Sequence, residues 1–357
     1  MQTYRKIGVW QTAFLGDAVL TLPMLRTLAD AHPGAEIHLF VRAGLESLFK
    51  AQPELTAVRG FAKRGAQKSM LSALTMGRDI GRQGFDLWIS AHASLRSAMV
   101  AAATGIPRRI GYDSPWFNRL AYTDPVDRRF DELEEVERLM GLLGPLDPLD
   151  PLGPLERTGP APKARLVLPP EAVAKADAFW REHCGQGPVL GIHPGSTWPT
   201  KCWPVEYFGR MAAMAAEAGA RVLVFAGPGE EAVAGVVTAQ AEAHGAGPDT
   251  LITLAGRLSL PELAAWIDRL DAYLTNDSGP MHLAWMQDTP LVALFGPTVR
   301  RLGFFPRGAG STVMEVPLEC RPCGLHGPRS CPLGHHDCMR TLTPDMVWNA
   351  LAPTLFS

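Results

Sequence analysis

Eight short apolar runs punctuate this chain, and successive runs are mostly separated by enough residues for one helix. In the first half they are "KIGVW" (6–10), "EIHLFVR" (36–42) and "DLWISA" (86–91). Further on they are "VLGIH" (189–193), "RVLVFAG" (221–227), "LITLAG" (251–256), "DAYLTN" (271–276) and "LVALFG" (291–296). Parallel strands covered on both faces read as continuous apolar runs, and the crossover between two of them needs about a dozen residues or more. The segment Ser259-Leu260-Pro261-Glu262 supplies a helix start, a capping box with proline just inside. The pattern predicts an α/β protein of doubly wound parallel sheets.

At 357 residues the chain is too long for one ordinary core. The alternation breaks at "MGLLGPLDPLDPLGPLERTGPAPKARLVLPP" (140–170), a Pro/Gly/Leu-rich stretch that reads as a linker. Two domains are expected, at 1–160 and 161–357, facing across a cleft, with a C-terminal helix able to pack back on the first domain. Ligands in such sheets lie at the carboxyl ends of the strands.

Charge is uneven. The net value is −2, yet residues 1–119 hold fifteen Lys/Arg against eight Asp/Glu. Arg59, Lys63, Arg64, Lys68, Arg78 and Arg82 share a span with one acid, Asp79. Such a run is usually a solvated helix face; otherwise it meets an anionic ligand or membrane surface. Neither a signal-type stretch nor about 18 unbroken apolar residues is present, so a cytoplasmic protein with free thiols is expected. Four of the six cysteines form C-x2-C-x7-C-x6-C at Cys320, Cys323, Cys331 and Cys338, interleaved with His326, His335 and His336. That spacing raises a structural zinc site, but a metal-free knuckle or a labile disulfide fits at least as well, and no metal enters the expected chemistry.

Three strand-end loops carry the chemistry. After "KIGVW" comes Leu15-Gly16-Asp17, a carboxylate where related sheets usually receive a phosphate; from spacing alone the favoured reading is that Asp17 caps a helix. After "VLGIH" comes "HPGSTWPTKCWP" (193–204), in which Ser196 and Thr197 offer hydroxyls and Lys201 a point charge for an anion. After "DAYLTN", Asp277, Ser278 and Gly279 open a helix whose exposed N–H groups favour a diphosphate, with His282 in its first turns as a ligand or a packed ring. "FGPT" (295–298) is expected as a second anion loop on the neighbouring strand.

In order and spacing, "LGDAVLTLPMLRTL", "HPGSTWPTKCWP", "TNDSGPMHLA" and "ALFGPT" resemble the ADP-heptose:lipopolysaccharide heptosyltransferases of glycosyltransferase family 9, and look closer to the enzymes that add the second heptose. "LRSAMVAAATGIPRRIGY" (95–112) is similar to the family's acceptor-domain segment. Cys202 departs from the pattern, since relatives often carry a basic residue there.

The resemblance implies a GT-B fold and an inverting transfer of heptose from ADP-heptose to the lipopolysaccharide inner core. Asp17 would be the base. Ser196, Thr197, Lys201, Asp277, Ser278, Gly279 and His282 would hold the donor, and Lys63, Arg64 and Arg96 the acidic acceptor. No bound metal or other cofactor is implied. The expected partners are the two substrates and, peripherally, the inner face of the inner membrane, not nucleic acid. Alternatives are another nucleotide sugar or acceptor, a GT-B-like nucleotide-sugar epimerase, or a non-catalytic binder. The Leu-Gly-Asp loop argues against an epimerase, and retention of Asp17 and Lys201 against a mere binder.

Overall fold

The computed structural model describes residues 3–62, 69–146, 163–247 and 249–357. They form two compact units, Met1–Val167 and Leu168–Ser357.

The first unit is built on six parallel strands: β1 (Lys6–Gln11), β2 (Glu36–Arg42), β3 (Ala57–Phe61), β4 (Leu87–Ser90), β5 (Arg108–Tyr112) and β6 (Asp124–Val126). Their order is β3-β2-β1-β4-β5-β6. β1 lies at the centre, with Ile7 opposite Ile37 on one side and Leu87 on the other. Trp10, Phe40, Phe61, Phe85 and Trp88 pack together over one part of the sheet. The indole N–H groups of the two buried tryptophans are satisfied by Ser97 and Ser90, both at 3.0 Å.

The second unit repeats the design with β7 (Val189–His193), β8 (Arg221–Val224), β9 (Leu251–Thr253), β10 (Ala272–Asn276), β11 (Leu291–Phe295) and β12 (Ser311–Glu315). The order is β12-β11-β10-β7-β8-β9. In each sheet the first strand of the unit lies beside its fourth, and chain order reverses there. Such a switch point is where ligands bind in doubly wound sheets. Ser259 caps the helix Leu260–Ile267 in a capping box with Glu262, as its sequence predicts.

All eight strands expected from the apolar runs are present; β3, β5, β6 and β12 are additions. β3 and β5 carry arginine and glycine, β6 is three residues long with Pro125 in it, and β12 is half-buried. One further expectation needs correction. The stretch after residue 139 is folded for its first part: the helix Glu135–Gly141 runs into it, and Leu142 and Leu143 are buried in the first unit. Residues 147–162 lie outside the described residues. The C-terminal helix Pro344–Leu355 belongs to the second unit, where it packs on β10, β11 and the helix Val205–Glu217. The cause is its apolar stripe, since Val347, Leu351 and Leu355 complete that unit's core. Among the described residues, no helix is long and apolar enough to cross a membrane.

Candidate functional site

In the second unit, the loop after β7 folds against the loop after β10. Pro199–Lys201 forms a short 3-10 turn that turns Lys201 inward, leaving the residue 9% exposed. Its ammonium lies 2.5 Å from Oδ2 of Asp277. Thr298 Oγ1 donates to the same oxygen at 2.7 Å, and Ser196 Oγ donates to the Asp277 carbonyl at 3.3 Å. Asn276 ties the loops further: its Nδ2 donates to Pro194 O at 2.8 Å and its Oδ1 accepts Trp203 N–H at 3.0 Å. β7 and β10 are adjacent and parallel, so this knot sits at the switch point.

Beside it, the helix Gly279–Met286 begins with Ser278 at its N-cap. The Ser278 side chain makes no capping bond; its Oγ is 3.3 Å from Thr275 Oγ1 instead. Pro280 takes the first turn without an N–H of its own. The remaining first-turn amides, Gly279 among them, present a positive helix end beside a buried ammonium.

The structure revises several sequence expectations here. Asp277 is committed to Lys201 and Thr298 and does not cap the helix. "FGPT" is buried and is no open anion loop; through Thr298 it supports Asp277. His282 is buried with its ring near Trp285 and Phe304, which is the packed arrangement. Thr197 is exposed and Ser196 half-buried. Glu230 is an acid beside this loop that its sequence did not single out: it accepts Gly227 N–H at 2.9 Å, and a Cβ at Gly195 would come within 2.5 Å of its carboxylate. His193 ends β7 with Nδ1 2.9 Å from the Tyr273 hydroxyl, and burial pushes its pKa down to about 4.

In the first unit, Asp17 is not the N-cap of its helix, Leu15–Leu20. Phe14 occupies that position, and the Asp17 carboxylate reaches back one turn to accept Phe14 N–H at 3.2 Å. Burial raises its pKa to about 6; the negative Glu135 adds to the rise, while the backbone bonds and Arg128 oppose it. Glu135, buried on the helix Glu135–Gly141, accepts from Arg128 at 2.7 Å and Arg138 at 2.9 Å. Burial pushes the Glu135 carboxyl up, but the two guanidinium groups outweigh it and leave its pKa lowered. The Arg128 guanidinium also lies over the Tyr112 ring at 5.3 Å. The Tyr112 hydroxyl is buried with no hydrogen-bond partner among the described residues and is charged only far above neutrality, because of burial and then Glu135. Asp17 follows β1, Tyr112 ends β5, and Arg128 and Glu135 follow β6, all at the carboxyl edge of the sheet. The dense charge of "DRRFDELEEVER" (127–138) was the available sequence signal for this group.

Of the expected acceptor residues, Arg96 is half-buried in the first turn of the helix Leu95–Thr104, just after β4. Lys63 and Arg64 lie outside the described residues. Their neighbours in the basic run have local partners: Arg59 packs over Phe40 at 5.6 Å, and Arg82 pairs with Asp79 at 2.9 Å on the surface. All six cysteines are free. Among the described residues, no group of three His, Cys, Asp or Glu side chains is placed to hold a metal ion.

Comparison with known proteins bears on the whole arrangement. Residues 73–326 match the family model for glycosyltransferase family 9 (heptosyltransferase). Against the lipooligosaccharide heptosyltransferase 2 of Campylobacter jejuni the chain is 28% identical over 160 residues, 44% of this chain and 48% of that one, so the match spans about half that relative's length. Against the lipopolysaccharide heptosyltransferase 1 of Pseudomonas aeruginosa it is 28% identical over 321 residues, covering 88% of this chain and 84% of the other. The crystal structure of a family 9 glycosyltransferase from Veillonella parvula superposes with a TM-score of 0.81 at 24% identity, covering 99% of this chain and 98% of that one.

Proposed function

The chain belongs to glycosyltransferase family 9, the heptosyltransferases, and from that premise we propose that it moves heptose from ADP-heptose to the lipopolysaccharide inner core with inversion at the anomeric carbon. The observation that carries this reading is the knot at the β7/β10 switch point. There a buried ammonium stands beside a helix N-terminus with no side-chain cap. A departing diphosphate develops negative charge, and an N–H array with a preset cation stabilises it without a bound metal. In this reading Lys201, the hydroxyls of Ser196 and Thr197, and the amides from Ser278 onward receive ADP. Asp277 fixes Lys201 rather than touching the sugar, and His282 shapes the pocket wall from behind.

The acceptor would be held at the first sheet, with Asp17 as general base. As its hydroxyl oxygen bonds to the anomeric carbon, the bond from that carbon to the phosphate oxygen breaks; ADP leaves with the electron pair, and the hydroxyl proton passes to Asp17. A carboxylate with a pKa of about 6 is ionised at neutral pH and more basic than an ordinary aspartate, which suits that task. Lys63, Arg64 and Arg96 would meet the acidic sugars and phosphates of the acceptor. The enzyme would then work in the cytoplasm, peripherally at the inner face of the inner membrane, where such an acceptor is presented.

The test is mass spectrometry of truncated core lipopolysaccharide incubated with enzyme and ADP-heptose. The reading expects a gain of one heptose and release of ADP, both dependent on acceptor. Conversion of ADP-heptose without acceptor, or no reaction with it, would sink the proposal.

A further inference from the structure

The cysteine-bearing segment lies outside the mechanism above, yet it grips both the loop that carries Lys201 and the loop whose Thr298 supports Asp277. On one side Arg321, its side chain 4% exposed, sends its guanidinium into the 295–298 loop. It donates to the carbonyls of Gly296, of Thr298 at 2.7 Å and of Phe295 at 3.4 Å. The remaining carbonyl, of Pro297, accepts Cys323 N–H at 2.9 Å. All four carbonyls of this loop are therefore bound from one segment, and Glu315 and Val316 O hold the guanidinium from behind at 2.6 Å each.

On the other side the same segment holds the turn that carries Lys201. Thr200 Oγ1 donates to Pro328 O at 2.5 Å, and His336 Nε2 donates to Thr200 O at 2.8 Å. The His326 ring stacks on Trp198, centroids 6.0 Å apart and planes 7° from parallel. Gly327 sits between the two grips with φ +77°; a Cβ there would lie 2.8 Å from Pro297 and 3.0 Å from Thr200 Oγ1. Only glycine passes through both the conformation and the space.

We propose that residues 320–338 are a brace that sets the distance between the Lys201 loop and the 295–298 loop that supports Asp277, with Arg321 as its positioning residue. The chain of contact is continuous: Arg321 fixes the carbonyl of Thr298, Thr298 holds Asp277, Asp277 holds Lys201, and Thr200 returns to the brace. Arginine is required because its planar fork serves several carbonyls at once, which a lysine ammonium cannot do. The proposal rests on the reading that this site binds ADP.

Calorimetry with ADP decides it, using wild type, Arg321→Lys and Gly327→Ala, with thermal melting to give the folded fraction. The expected result is a dissociation constant raised about tenfold or more in folded variants, the size of one or two lost hydrogen bonds. In turnover, KM for the nucleotide sugar should rise with it while KM for the acceptor stays. Should Arg321→Lys fail to fold, Thr200→Val, which breaks the opposite grip, is judged by the same readout. Unchanged ADP affinity per folded molecule, with only the melting temperature lowered, overturns the brace and leaves the donor site standing. A wild-type chain that does not bind ADP overturns both.

Discussion

Lys201 and Asp277, 76 residues apart in sequence, meet as an ion pair at 2.5 Å with both side chains close to fully buried. Truncating one partner of such a pair leaves an uncompensated charge, at a cost of about 3–5 kcal/mol. Lys201→Ala should therefore lower the melting temperature as well as ADP affinity, the latter by about 1.5–3 kcal/mol for a lost charge-assisted bond to phosphate. Removing both, in Lys201→Ala/Asp277→Ala, should restore much of the stability and none of the affinity. Calorimetry and melting on the two variants check this; a double variant that binds ADP normally removes Lys201 from the site.

The carboxylate of Asp17 bonds its own helix start, so its two roles must be separated. Asp17→Asn preserves an oxygen to accept Phe14 N–H. If that bond is all Asp17 provides, both stability and turnover survive. As general base it should lose about 10²–10⁴-fold in kcat with ADP binding intact. In the wild type, kcat/KM should rise with pH through about 6 as Asp17 ionises. Near-wild-type turnover by the Asn variant would send the search for a base elsewhere.

Glu135 raises the Asp17 pKa by repulsion, whereas Arg128 opposes the rise. Glu135→Gln removes the negative charge and leaves both guanidinium groups in place, so the acid limb of kcat/KM should move to lower pH. The substitution also removes one anionic partner of Arg138, whose side chain is fully buried, and should cost stability. A pH-rate profile of the folded variant checks the direction; a limb that stays put separates Glu135 from Asp17.

Two groups pull stability in opposite directions with pH. His193 is lowered from 6.5 to about 4, so the unfolded chain binds more protons between those values, and stability from this group is lost as pH falls from 6.5 to 4. The full loss is about 3 kcal/mol, on 1.36 kcal/mol per unit. Asp17 is raised from 3.8 to about 6, so the folded chain holds the extra proton and stability falls as pH rises through that window. Denaturant titrations from pH 4 to 7 should show partial cancellation in the wild type. In Asp17→Asn the upward slope due to His193 should steepen, and an unchanged slope would contradict the assignment.

On the proposed reading, Lys63 and Arg64 meet the acceptor and not the nucleotide sugar. Charge reversal at both should raise acceptor KM and leave that of the nucleotide sugar. Added salt should act alike, because screening already sets in at roughly 8 Å under physiological conditions. Equal effects on both substrates would return the basic run to an ordinary solvated face.

What the sequence disclosed follows physical lines. The eight apolar runs marked strands because both their faces are covered, and the Leu-Gly-Asp, "HPGSTWPTK" and "NDSG" segments marked loops because small and polar residues follow a strand there. β6 stayed hidden because three residues containing proline carry no periodicity, and β3 because its residues are mostly half-buried. The partners of the site residues were hidden for another reason. Asp277 sits where a helix cap belongs, and nothing local announces that it prefers Lys201 and Thr298. Glu135, between Glu134 and Val136, looks like a surface acid until the fold buries it against two arginines.

The two sheets share one strand order, and the cluster around Trp10 and Trp88 and the one around Trp203 and Phe208 each draw their residues from a single unit. Heredity can therefore edit them apart. If the first sheet holds the acceptor as proposed, substitutions in its strand-end loops would retune what is accepted without repacking the core of the second unit. On the same reading, a laboratory chimera joined after Val167 would exchange the acceptor preference and keep the nucleotide-sugar half.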